Sequence, residues 1–141
     1  MISVTVQQRG LQLQLVSQGI DEAAKRLIQR LADYAEAEMR NRAPVRTGVL
    51  RASIQKTVGE KEAQIGPTVP YAMFVEYGTR PHEIRPVNAR ALRFEMGGGT
   101  VFATLVRHPG TRPQPFIRET AEAVKSQVEP VFREIWGEQT E

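Results

Sequence analysis

With 141 residues, no cysteine and a net charge of +3, the chain is long enough to bury a core as one domain, and it excludes a disulfide framework and any thiolate metal site. The first residues, Met1 to Val6, hold neither a basic n-region nor an apolar run, and nowhere do about 18 apolar residues follow one another, so the sequence predicts a soluble protein without an export signal or a membrane segment. The charge is uneven: residues 40–118 hold 13 Lys/Arg against 5 Asp/Glu, which leaves 6 against 11 for the two flanks.

In chain order, Val4, Val6, Leu11, Leu13 and Leu15 alternate with polar residues on both sides of Arg9-Gly10, the pattern of a half-buried hairpin or of one long bulged strand. From Ile20 the period changes. Ile20, Ala24, Leu27, Ile28, Leu31, Tyr34, Ala35 and Met39 return every three or four places and predict a helix over 20–42. Asp21 and Glu22 in its first turn and Arg40 and Arg42 in its last suit the helix dipole, and Pro44 stops it. Beyond the turn signal Thr47-Gly48, residues 50–58 and 62–65 are predicted as two strands of a hairpin. Residues 71–77 form an apolar and aromatic run that fits a strand or a single helical turn.

Gly78, Pro81 and Pro86 break any pattern over 78–89, which reads as a long exposed loop. Residues 91–95 and 100–107 flank Met96-Gly97-Gly98-Gly99 and predict a second hairpin. A second helical period starts at Phe116 and Ile117 and runs through Ala121, Val124, Val128, Val131, Phe132 and Ile135. Pro130 is expected to kink or end it, and the residues from Gly137 are expected to fray. The order of elements predicts an α+β fold: an antiparallel sheet with the long N-terminal-half helix and the C-terminal helix packed on one face. No repeat or linker divides the chain, so 1–141 reads as a single domain with an exposed loop and hairpin insertion at 78–108.

Chemical machinery is sparse. His82 and His108 each neighbour a proline, and His82-Glu83 lacks the second histidine of a zinc helix because residue 86 is proline. Gly97-Gly98-Gly99 lacks the Lys-Ser/Thr of a phosphate loop and reads as a turn. Ser3, Ser17, Ser53 and Ser126 show no nucleophile elbow, and no acidic cluster has the spacing of a metal-dependent nuclease. The sequence therefore predicts no catalytic residue, cofactor or metal. Glu76 lies inside the run Met73-Phe74-Val75-Glu76-Tyr77. It is expected to turn to the other face or to pair with an arginine such as Arg46 or Arg51, locking two corners together. Arginines in irregular sequence, Arg80, Arg85, Arg90, Arg93, Arg107 and Arg112 among them, suit phosphate or carboxylate partners, or are simply solvated.

Three stretches belong together: Ala43-Pro-Val-Arg-Thr-Gly-Val-Leu-Arg-Ala-Ser53, Tyr71-Ala-Met-Phe-Val-Glu-Tyr-Gly-Thr79, and His108-Pro-Gly-Thr111 followed by Pro115-Phe-Ile117. In this order they resemble the tail-completion or minor tail proteins of long-tailed bacteriophages, typified by the gene-ten product of phage HK-ninety-seven and related in role to lambda's protein Z. The resemblance spans the helix before Pro44 to the helix after Pro115. It places the family's motif positions on Pro44, Thr47, Gly48, Leu50, Tyr71, Ala72, Glu76, Gly78 and Thr79, with His108, Pro109, Gly110, Pro115 and Phe116 in the third stretch. It implies a non-enzymatic virion protein made in the host cytoplasm and acting where head meets tail, as one subunit of a ring around the DNA channel. Other neck and tail proteins are the implied partners, with non-specific contact to passing DNA and no membrane. The stretch between Gly78 and His108 is added relative to shorter members and is expected to form a hairpin that meets neighbours. The alternative from another class is a small basic nucleic-acid-binding protein independent of any virion.

Overall fold

The structure is a computed structural model that describes residues 2–7, 10–15, 22–84, 92–96, 99–103 and 105–140. Strands β1 (Ile2–Gln7) and β2 (Gly10–Leu15) pair antiparallel, with Val4 opposite Leu13 and Val6 opposite Leu11. Helix α1 (Glu22–Arg42) follows, then a short helix α2 (Val49–Ala52) and the hairpin β3 (Gln55–Val58) and β4 (Glu62–Gly66). Strand β2 pairs antiparallel with β4, which gives a four-stranded sheet in the order β1-β2-β4-β3.

Alternation then decides the layers, because side chains of a strand point to opposite faces in turn. Leu11, Leu13, Leu15, Ala63 and Ile65 are buried on one face, whereas Gln14, Thr57 and Gln64 on the other are exposed. The apolar face is covered by α1 and by α4 (Phe116–Thr140), the α+β arrangement the sequence predicts. Helix α1 buries Leu27, Ile28, Leu31, Ala32, Ala35 and Met39, and α4 buries Phe116, Ile117, Ala121, Val124 and Ile135. The two helices run antiparallel, tied near one end by Arg42 to Glu119 at 3.5 Å and near the other by Arg30 to Glu134 at 3.0 Å.

Three expectations change and one open alternative is decided. Residues 49–52 form a helical turn rather than part of a strand: Leu50 and Ile54 are buried while Ala52 between them is exposed, whereas a strand would put all three on one face. The run 71–77, which fitted either structure, is helix α3 (Ala72–Tyr77), with Ala72 and Glu76 buried and Phe74 between them exposed. The expected loop contains strand β5 (His82–Ile84), paired antiparallel with β8 (Val106–His108) at the base of the insertion. Pro130 does not end α4, which extends to Thr140. The proline lies on the exposed side, where water can satisfy the carbonyl that lost its donor. The hairpin expected within the insertion is present as β6 (Leu92–Met96) and β7 (Gly99–Ala103). Arg9, Ile20, Asp21, Arg85, Arg90, Gly97 and Gly98 lie outside the described residues.

Candidate functional site

Helix α4 begins with a difficulty that the chain solves from a distance. Its first intrahelical hydrogen bond runs from the Glu119 N–H to the Pro115 carbonyl, which makes Pro115 the residue that flanks the helix start. A proline offers no side-chain oxygen to the free N–H groups of the first turn, and burying them unsatisfied is costly. Glu76 of α3 supplies the acceptors: Ile117 N–H donates to Oε2 at 2.8 Å and Arg118 N–H to Oε1 at 3.0 Å. Arg118 also donates from Nε to the same carboxylate at 2.9 Å and from Nη2 to the Glu76 carbonyl at 2.7 Å. Its guanidinium then lies 4.8 Å from the centre of the Tyr77 ring. Glu76 is only 1% exposed. The expectation that Glu76 locks two corners agrees with this geometry, but the partner is Arg118 and not Arg46 or Arg51.

A second tie sits beside the first. Thr79 and Thr111 exchange both backbone hydrogen bonds, each at 3.1 Å, and their hydroxyls lie 3.1 Å apart. The glycine before each threonine makes this crossing possible. Gly78 has φ of 75° and Gly110 has φ of 82°, both in the left-handed region that disfavours side chains. A Cβ on Gly110 would lie 2.3 Å from the Thr79 carbonyl oxygen, and one on Gly78 would lie 2.5 Å from that of Thr111. Gln114 N–H adds a bond of 2.8 Å to the Val75 carbonyl. The second and third motifs are thus one joint between α3 and α4.

The first motif faces that joint. Gly48, at φ of 84°, starts α2 and directs Leu50 inward, and Ser53 at its end receives Thr68 through hydrogen bonds of 2.9 and 3.3 Å. Between α2, α3 and the 111–114 segment lies an open groove of about 1150 Å³. It is lined by Pro44, Thr47, Gly48 and Leu50 from the first motif, Tyr71, Gly78 and Thr79 from the second, and Thr111 from the third. Around it Val45, Val49, Phe74 and Tyr77 are exposed apolar side chains.

Not every expected residue gathers here. Ala72, Glu76 and Phe116 are buried in the packing behind the groove, Pro115 is half-buried, and Pro109 and Gly110 lie on the turn before Thr111. His108 is the last residue of β8, opposite His82. Of the basic residues singled out, Arg80 and Arg112 line the groove, whereas Arg93 is on β6 and Arg107 on β8, 4.0 Å from Glu83. Arg46, which the sequence offered as a partner for Glu76, joins Arg80 and Arg112 instead. The groove lining contains no His, Ser, Cys, Asp or Glu, and among the described residues no group of three or more such metal-binding side chains forms. Such a lining can hold an apolar or anionic surface but offers no general base.

Residues 10–78 match the family model of the HK97-gp10-like bacteriophage tail components. This segment is similar to that family. The matched segment runs from β2 through α1, α2, β3 and β4 to Gly78 at the end of α3, and so contains the first motif and all of the second except Thr79. The third motif, 108–117, and the insertion lie beyond it, a shorter span than the motif resemblance implied. No curated protein and no solved structure matches the chain. No helix among the described residues is long and apolar enough to cross a membrane.

Proposed function

We propose that the chain is a non-enzymatic structural part of a long-tailed bacteriophage or prophage particle, acting in tail completion and head–tail joining as one subunit of a ring around the DNA channel. The observation that carries this reading is the convergence of the three motifs on a single groove with exposed apolar walls, arginine edges and no nucleophile or acid–base pair. A surface of that composition recognises another protein surface. The matched family supplies the setting, a phage tail, and makes other tail proteins the partners. The protein is then made in the host cytoplasm and resides in the virion, with 1–141 as one assembly domain and 78–108 as its outward-reaching insertion.

Mass spectrometry and electron microscopy of particles from the phage or prophage that encodes the chain test the proposal. The chain is expected in finished tails, and particles lacking it are expected to carry heads and tails that fail to join. Absence from virions overturns the role. DNA contact in this reading is weak and falls steeply with salt. Tight binding to free DNA at physiological salt would instead favour a nucleic-acid-binding protein that works outside a particle.

A further inference from the structure

Two surfaces at opposite ends of α4 are complementary. Beside its N-terminus, the groove brings Arg46, Arg80 and Arg112 around Leu50, Tyr71 and Phe74, and no acidic residue lines it among the described residues. Near its C-terminus, Phe132 and Trp136 stack one turn apart with ring centroids separated by 6.0 Å and planes 17° from parallel. They are 47% and 53% exposed, while Ile135 between them is buried against the rest of the fold. The sequence there is acidic on balance: residues 132–141 contain Glu134, Glu138 and Glu141 against Arg133, with Glu134 paired to Arg30 of α1. One end therefore presents arginines around an apolar floor, and the other an exposed aromatic pair in a stretch of acidic sequence.

The helix keeps these surfaces apart. From Phe116 to Trp136 it extends about 30 Å at 1.5 Å per residue, and ion pairs to α1 tie it near both ends. The aromatic end of one copy cannot reach its own groove, so the match is available only between copies. We infer that the groove is the socket for the C-terminal end of α4 from a second copy of this chain. Phe132 and Trp136 of the neighbour cover Tyr71 and Phe74, and its acidic end faces the three arginines. Large flat aromatics of this kind anchor interfaces because they bury much area at little entropic cost. The contact is head-to-tail, with different patches on the two partners, and repeating it gives a ring when the rotation closes and a filament when it does not. The inference rests on the ring-subunit reading and names the surfaces that would build that ring.

Cysteine cross-linking tests it cleanly, because the chain has no cysteine of its own. Thr47→Cys marks the groove and Arg133→Cys the aromatic end, leaving Phe74, Phe132 and Trp136 in place. Val58→Cys, exposed on β3 and outside the groove lining, is the control. With a short bis-maleimide, T47C mixed with R133C is expected to give a covalent dimer in several-fold higher yield than V58C mixed with R133C. Adding Trp136→Ser to R133C, or Arg112→Glu to T47C, is expected to bring the yield down to the control level, and the T47C/R133C double variant should give a ladder of multimers. Equal yields for the two pairs, or a preference of T47C for T47C, overturn the socket. So does a link from T47C to a different tail protein in isolated particles. If the socket fails while the chain is found in virions, the tail role stands; absence from virions defeats that role whatever the cross-links show.

Discussion

The two sides of α3 reverse the usual order of inside and outside. Its buried side carries a carboxylate, Glu76, 1% exposed, while its outer side carries Phe74, 62% exposed, beside the half-exposed Tyr71 and Tyr77. Burying a charge is tolerable only where every lone pair finds a donor, and here two backbone N–H groups and an arginine fork provide them. Exposing a large ring to water needs a different reason, and the groove supplies one. The comparison separates two jobs within one short helix: the charged side holds α3 to α4, and the aromatic side is left for a partner.

Breaking the buried side should have the largest consequences. Gly110→Ala places a methyl group 2.3 Å from the Thr79 carbonyl oxygen at a φ that L-residues avoid, so the 79–111 crossing must open. A loss of about 3 kcal/mol is expected, measured as a lower urea midpoint with an unchanged slope. Glu76→Gln comes next. It keeps one acceptor for the α4 first turn but turns an NH₂ toward donors and removes the charge facing Arg118. Because Arg118 is 45% exposed, water can take over part of its role. Roughly 2 kcal/mol is therefore expected, between the loss of a helix cap and that of a fully buried ion pair. If Glu76→Gln unfolds at the wild-type midpoint, the carboxylate is not what joins the helices.

The parts of this arrangement were unequally legible in the sequence. Alternation in β1 and β2 and the three-to-four spacing in α1 are local signals, and they predict those elements and the α+β layering directly. The run 71–77 is ambiguous because a single turn of helix is too short to display a period. Residues 50–52 mislead because they look like the start of a strand until Ala52 is seen to be exposed between the buried Leu50 and Ile54. The partner of Glu76 was hidden for a plainer reason: Arg118 lies 42 residues away, and nothing local marks it. The only clue was Pro115 itself, since a helix that starts behind a proline needs its cap from elsewhere. The groove was recognisable as three motifs, but that they share one wall depends on tertiary packing, and so does the arrival of Arg46 at its edge.

The exposed side of α3 should respond in the opposite way. Phe74→Ser touches no buried packing and is expected to move the unfolding midpoint by less than about 0.5 kcal/mol, while incorporation into tails is lost. A large loss of stability would show that Phe74 belongs to the core after all and would erase the distinction between the two sides.

The smallest effect gives a reference point away from both. Lys56 on β3 bonds to Asp33 of α1 and lies 3.8 Å from Glu36. The hydrogen bond to Asp33 is the largest influence holding its pKa above the ordinary lysine value, with attraction to Asp33 and Glu36 adding to it, while partial burial and Arg40 oppose the shift. A raised folded pKa means that the protonated form is favoured on folding. Its contribution is complete below the unfolded value of about 10.4 and is lost as pH rises through the higher folded value. Asp33 is more than half exposed, so solvent screens the pair and the contribution should stay below about 1 kcal/mol. The stability difference between wild type and Lys56→Met should therefore be flat from neutral pH to about 10 and shrink above it. A difference that instead grew in alkali would mean that the ion pair strains the β3–α1 contact rather than holding it.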